Sequence, residues 1–136
     1  MLLVDTNVIL DVVENDPQWA AWSQSQLEAA SLKFTLLINP VIYAELSIAY
    51  QRIEELESML RNAELQLVPI PREALFLAGR VFLKYRQRKG TKSGVLPDFF
   101  VGAHAAVAGI PLLTRGLSRY RTYFPSLKLI TPERKR

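Results

Sequence analysis

The chain has 136 residues, enough for one domain built on a single core. Hydrophobic residues make up 49% and charged residues 22%, which excludes a disordered polyelectrolyte, and the absence of cysteine excludes disulfides and thiolate metal sites. A net charge of +4 and a pI of about 9.6 suit a polyanionic partner without requiring one.

In chain order, Leu2-Leu3-Val4 reads as a strand that begins without preamble. Thr6 to about Glu14 reads as a helix, and Asp16-Pro17 starts a second one that runs towards Ala30. Phe34 to Ile38 is strand-like. Asn39-Pro40 is an N-cap followed by proline at the first helical position, and that helix is expected to reach about Tyr50. A Glu- and Leu-rich helix covers about Ile53 to Asn62. Leu67 to Ile70 is the expected third strand. Pro71 to Arg88 is a long amphipathic helix with Ala74, Leu77, Ala78, Val81 and Phe82 at core spacing. Lys89 to Gly94 is a loop by composition. Pro97 opens a helix that Gly109-Ile110-Pro111 closes, and Leu112 to Thr114 and Leu127 to Ile130 are the last strands.

Strands that alternate with helices predict an α/β fold, a mainly parallel sheet with helices on both faces. One domain over residues 1–132 is expected, with a basic tail at 133–136. No apolar run approaches the roughly 20 residues of a membrane span. The first residues read as a strand and not as a signal peptide. A cytoplasmic protein that does not touch a membrane is therefore expected.

In sheets of this kind function sits beyond the carboxyl ends of the strands, and three carboxylates are placed to reach that edge. Asp5 follows the first strand directly, although a helix cap needs no more than that. Glu45 shares a helix face with Ile42, Leu46 and Ala49, where a charge must be compensated or sit at a rim. Asp98 enters a helix whose same face carries Val101, Gly102 and Ala105, residues small or apolar enough to let it lie close to another element. A favourable charge at a helix N-terminus is its structural alternative. Like charges gathered at one edge need a cation. Oxygen donors suit Mg²⁺ or Mn²⁺, which can activate water and stabilise a phosphoryl transition state.

Four blocks carry a resemblance: Leu3-Val4-Asp5-Thr6-Asn7, Pro40 to Leu46, Leu96 to Ala105 and Leu112-Leu113-Thr114-Arg115. In sequence and order they resemble the motifs of the PIN domain, and more narrowly those of VapC toxins from prokaryotic toxin–antitoxin modules. The resemblance implies an α/β/α sandwich and a metal-dependent endoribonuclease acting on RNA, transfer RNA included. It implies that Asp5, Glu45 and Asp98 hold Mg²⁺ or Mn²⁺ or its water. Thr6 and Asn7 would support the first carboxylate, and Thr114 would turn its hydroxyl towards the site. It further implies a homodimer held inactive by a cognate antitoxin protein. One position departs from the pattern: Gly116 stands where the family usually carries a fourth acid, and the next acid downstream is Glu133. A catalytically weakened or dead PIN domain that binds RNA or an antitoxin-like protein is the alternative reading.

Other residues weigh in less. His104, the only histidine, lies six positions after Asp98 and points away from it around the helix, so a structural role is expected and no histidine base is available. Basic residues gather at Arg80, Lys84, Arg86, Arg88, Lys89 and Lys92, and again at Arg115, Arg119 and Arg121 among Tyr120 and Tyr123. Cations beside rings suit unpaired RNA, with Arg115 the expected phosphate contact. A solvated face with tyrosines in the core is the alternative. Trp19, Trp22 and Leu27 could form an apolar face of the second helix. A phosphoaspartate receiver domain is disfavoured because Asp5 has no acidic neighbour. An aspartate-based phosphatase is disfavoured because Asn7 stands where its second aspartate belongs.

Overall fold

Leu2, Leu3 and Val4 form β1 (Leu2–Val4) and are wholly shielded from solvent. A strand apolar on both faces belongs in the middle of a sheet covered on both sides, and β1 lies there. In the computed structural model, which describes residues 1–92 and 94–132, it is flanked by β2 (Leu36–Ile38) and β4 (Leu112–Leu113). Outside them run β3 (Leu65–Leu67) and β5 (Leu129–Ile130), giving the order β3-β2-β1-β4-β5 with every pair parallel. Seven helices connect the strands among the described residues: α1 (Thr6–Val13), α2 (Ala20–Ser31), α3 (Pro40–Ser47), α4 (Ile53–Asn62), α5 (Arg72–Gln87), α6 (Leu96–Ala108) and α7 (Leu117–Arg121). The architecture is the expected α/β/α arrangement, a parallel sheet flanked by helices. Ser93 and the expected basic tail, 133–136, lie outside the described residues.

Local chemistry explains most boundaries. Asn39 caps α3 by accepting the Ile42 amide at 3.0 Å, with Pro40 at the first helical position. Gly109 ends α6 in the left-handed conformation at φ 67°, which only a residue without a Cβ adopts freely. Along α5, Ala74, Ala78 and Val81 are buried while Leu77 and Phe82 are half-buried, so the expected apolar stripe faces the core. No helix among the described residues is long and apolar enough to cross a membrane.

Several expectations need correction. The second helix begins at Ala20 and not at Asp16-Pro17, because the Asp16 carboxylate accepts the amides of Gln18 and Trp19, both at 2.9 Å, and folds the segment into a turn. Trp19 therefore precedes α2, packed edge-on against Trp22 at 6.1 Å between ring centroids. The third strand is Leu65–Leu67 and not Leu67–Ile70: Leu65 is the buried residue that faces Leu36, and Pro69 has no amide for the ladder. The α3 helix stops at Ser47, so Ala49, expected on the face of Glu45, lies beyond it and is exposed. The short helix α7 was not expected at all.

Close approach of α6 to the α7 segment is enforced by Gly102. A Cβ there would stand 2.6 Å from the Phe124 ring and 3.1 Å from Tyr120, so only glycine lets these rings seat against α6. This contact fixes where α7 sits relative to Asp98.

Candidate active site

The chain begins at the centre of the sheet, builds outwards through β2 and β3, then crosses back to β4. Strand order thus reverses between β1 and β4, and a crevice opens beyond their carboxyl ends, where doubly wound sheets bind ligands. Asp5 ends β1 and Thr114 ends β4, both buried.

Asp5 is held by three donors. Its Oδ1 accepts the Thr6 amide at 2.8 Å, and its Oδ2 accepts the Thr114 hydroxyl and the Tyr120 hydroxyl, each at 2.8 Å. Thr114 Oγ1 in turn accepts the Gly116 amide at 3.0 Å and Asn7 Nδ2 at 3.5 Å, so its own proton is committed to Asp5. Asn7 Oδ1 accepts the Arg115 amide at 3.3 Å and ties the end of β4 to the start of α1. The Thr6 hydroxyl turns the other way and donates to Glu45 Oε1 at 2.6 Å. That bond brings Glu45, half-buried on α3, to the side of Asp5.

Asp98 enters the same neighbourhood from the first turn of α6. Burial raises its pKa to about 6; the Arg119 guanidinium, 3.3 Å from Oδ2, opposes the rise, and the charges of Asp5 and Glu45 add to it. The three carboxylates therefore share one electrostatic site. Tyr120 is pushed well above the ordinary tyrosine range by burial and then by the charges of Asp5 and Asp98, so its hydroxyl keeps its proton and acts as a donor.

Arg115 and Arg121, two of the expected RNA contacts, make hydrogen bonds within the chain. Arg115 forms a two-pronged pair with Asp11, Nε to Oδ2 at 2.7 Å and Nη2 to Oδ1 at 2.9 Å, and lies over the Trp19 ring at 5.1 Å. Asp11 is buried and also accepts the Ser23 hydroxyl at 2.6 Å. The guanidinium thus joins α1, α2 and the end of β4 and does not reach out as a free cation beside the site. Arg121 donates to the carbonyls of Pro125 and Leu127, each at 3.3 Å, and braces the turn after α7. Arg119 lies at the mouth of the site, paired with Asp98. Tyr120, read as a stacking ring, is 1% exposed and unavailable for stacking. His104 is buried, 3.2 Å from Asn39 Nδ2 through Nδ1, and burial lowers its pKa, which gives it the structural place expected.

A cleft of about 310 Å³ adjoins Asp98. Its walls include the rings of Tyr85, Phe99 and Tyr123, and Lys92 and Arg119 bring positive charge to it. Arg88 lies over the Tyr123 ring at 6.0 Å, while the remaining basic residues of α5 and its loop are exposed.

The donor chemistry suits a hard divalent cation: the site offers carboxylate oxygens, two of which raise the proton affinity of the third. It is not a ready-made cage. Among the described residues, no three acidic or imidazole side chains are gathered closely enough to hold an ion. Each carboxylate is instead satisfied by a donor of its own, and among the described residues no buried side-chain nitrogen or oxygen lacks a hydrogen-bond partner. Gly116, with φ −90°, lies next to Thr114; a Cβ there would meet nothing closer than 3.5 Å.

Comparison with known proteins agrees with this layout. The sequence profile of the PIN domain matches residues 2–125. None of the curated proteins matches the chain in sequence. Among solved structures, VapBC2 from Rickettsia felis, bound to a promoter DNA fragment, is similar with a TM-score of 0.72 and 18% identity, over 96% of this chain and 97% of that one. A toxin–antitoxin complex from Klebsiella pneumoniae gives a TM-score of 0.70 at 18% identity, over 99% and 100% of the two chains. DNA-bound VapBC from Salmonella typhimurium gives 0.70 at 15% identity, over 96% of each. At these identities the likeness is one of fold. With the sheet, the switch-point crevice and the matched span in agreement, the chain belongs to the PIN domain family.

Proposed function

We propose that this chain is a VapC-type toxin, an endoribonuclease that hydrolyses phosphodiester bonds in RNA with the help of Mg²⁺ or Mn²⁺. The observation that carries the reading is that the charges of Asp5 and Glu45, linked through Thr6, act on Asp98 at the switch point of a PIN fold. PIN domains are generally nucleases, and the similar structures are of toxin–antitoxin complexes. Those complexes support an antitoxin protein as the partner; a homodimer in the cytoplasm completes the proposal.

In this reading Asp5 and Asp98 hold the divalent ion and Glu45 binds its water. When bound, the ion supplies Lewis acidity for the phosphate oxygens and a lowered pKa for the attacking water. The chain's own residues do the positioning. The Thr6 amide and the Thr114 hydroxyl fix the Asp5 carboxylate from two sides, one on each oxygen. Thr6 fixes Oε1 of Glu45 and leaves Oε2 to accept a proton from the attacking water. The cleft beside Asp98, with the half-buried rings of Tyr85 and Tyr123 and its cations, suits an unpaired strand, since bases stack on aromatic faces while phosphates meet positive charge. That feature favours RNA loops over duplex as substrate.

A second reading, a PIN domain weakened in catalysis, is favoured by Gly116. Without a fourth carboxylate the site has one oxygen donor group fewer. One assay tests both. A pool of structured RNA is incubated with purified protein and Mg²⁺ or Mn²⁺, with EDTA, and beside Asp5→Asn and Asp98→Asn. Cleavage that requires metal and disappears in both variants is the expected result. Variants that cut at the parental rate would sink the site assignment, and cleavage gained only by Gly116→Asp would favour the weakened domain.

A further inference from the structure

We propose that α7 is a built-in competitor for the cation: the Tyr120 hydroxyl and the Arg119 guanidinium engage lone pairs of Asp5 and Asp98 that a divalent ion would otherwise take. The inference rests on the metal-site reading above and concerns how tightly that site binds.

A carboxylate offers about four acceptor sites on its two oxygens. On Asp5, Thr114 and Tyr120 take both sites of Oδ2, and the Thr6 amide takes one on Oδ1. One site remains, so an ion can bind Asp5 through Oδ1 alone unless a donor leaves. Thr114 is not the donor that leaves: its oxygen already accepts from Gly116 and Asn7, which commits its proton to Asp5. Tyr120 is tied to nothing but Asp5 through its hydroxyl among the described hydrogen bonds. Asp5 is already oriented from two sides without it, so the phenol adds a competing donor and little orientation. On Asp98, Arg119 takes one site of Oδ2 and brings a full positive charge to the mouth of the crevice. That charge repels an incoming cation as well as blocking its ligand.

Both donors come from one five-residue helix that also begins beside Gly116. The segment that carries no acid for the ion thus carries two groups that satisfy the acids without it.

Mn²⁺ binding tests this directly, read as the loss of the free-ion paramagnetic resonance signal and needing no RNA. Tyr120→Phe keeps the ring against Gly102 and removes only the donor. It is expected to bind Mn²⁺ about tenfold more tightly, the scale of a change next to a metal ligand. Arg119→Gln, at an exposed position that does not endanger folding, is expected to gain about two- to fivefold, since the ion pair it breaks is solvent-exposed. The Tyr120→Phe gain should vanish in an Asp5→Asn background, which a general loosening of the fold would not produce. A parent that binds Mn²⁺ while both variants bind it equally or more weakly overturns the proposal, because the donors would then support the ligands. Failure of a Tyr120→Phe/Arg119→Gln double variant to bind any Mn²⁺ overturns it too. Failure of the site assignment on which this rests looks different: Asp5→Asn would cut RNA like the parent, whatever the Mn²⁺ titrations show.

Discussion

Asp98 should be a liability to the metal-free fold, and replacing it should make the protein more stable. Its carboxyl is raised from 3.8 to about 6 in the folded chain, first by burial, with Arg119 opposing the rise and the charges of Asp5 and Glu45 adding to it. A raised carboxyl binds its proton more tightly folded than unfolded, so between about pH 4 and pH 6 the folded state holds more protons. Stability therefore falls as pH rises through that window, and the whole penalty is present above it. About two units at roughly 1.4 kcal/mol each give an upper figure near 3 kcal/mol. The Asp98 side chain is still 18% exposed and its partner Arg119 largely so, which screens the effect to about 1–2 kcal/mol. Asp98→Asn never ionises and escapes the penalty. In EDTA at pH 7.5 it should be more stable than the parent by about 1–2 kcal/mol in urea, or by some 3–8 °C in melting for a chain of this size. The advantage should shrink to nothing near pH 4, where both forms are neutral. Saturating Mn²⁺ should reverse the order, because only the parent keeps the ligand through which the ion stabilises the fold. An Asp98→Asn variant no more stable than the parent at pH 7.5, or a gap that ignores pH, would refute the electrostatic account of this site.

The remaining expectations concern the Asp11–Arg115 pair and Gly116. Asp11→Ala should cost about 2–3 kcal/mol in urea denaturation, less than a fully buried broken pair because Arg115 is 27% exposed. The loss should be non-additive with Arg115→Ala; additive losses would mean that the two do not act as a pair. Gly116→Asp should leave stability unchanged within about 0.5 kcal/mol, since its Cβ has room and its φ is ordinary. It should also tighten Mn²⁺ binding, and an unchanged titration would make position 116 irrelevant to the ion.

Much of this layout could be read from the sequence because it rests on local chemistry. An apolar run ended by Asp5, an Asn39-Pro40 cap and a glycine-proline stop at Gly109 each mark one boundary by themselves. Parallel connections then carry the ends of β1, β2 and β4 to one edge without further information. The failures are those of pairing at a distance. Leu65 and Leu67 to Ile70 are similarly apolar, and the pairing with β2, together with the amide that Pro69 lacks, decides which of them joins the sheet. Asp11 looks like any polar residue on an amphipathic helix, and its partner Arg115 lies 104 positions away. Five residues of α7 are too few to show a helical period.

Tyr120 illustrates the limit most sharply. Beside Arg119 and Arg121 it reads as a ring for stacking, and its neighbour Gly116 reads as a missing acid. Neither inference is wrong about the residue type; both are blind to where α7 lies. Gly102, one helix earlier, is the position that decides it, since its missing Cβ lets Tyr120 and Phe124 seat against α6 and turns the phenol towards Asp5. The small residue expected to let this helix lie close to another element thereby bears on the hydrogen bonding of a carboxylate at the end of the first strand. Gly102→Ala should push Tyr120 and Phe124 away from α6 and release the Asp5 bond. If it tightened Mn²⁺ binding as Tyr120→Phe is expected to, the packing and the metal site would be shown to be one mechanical unit.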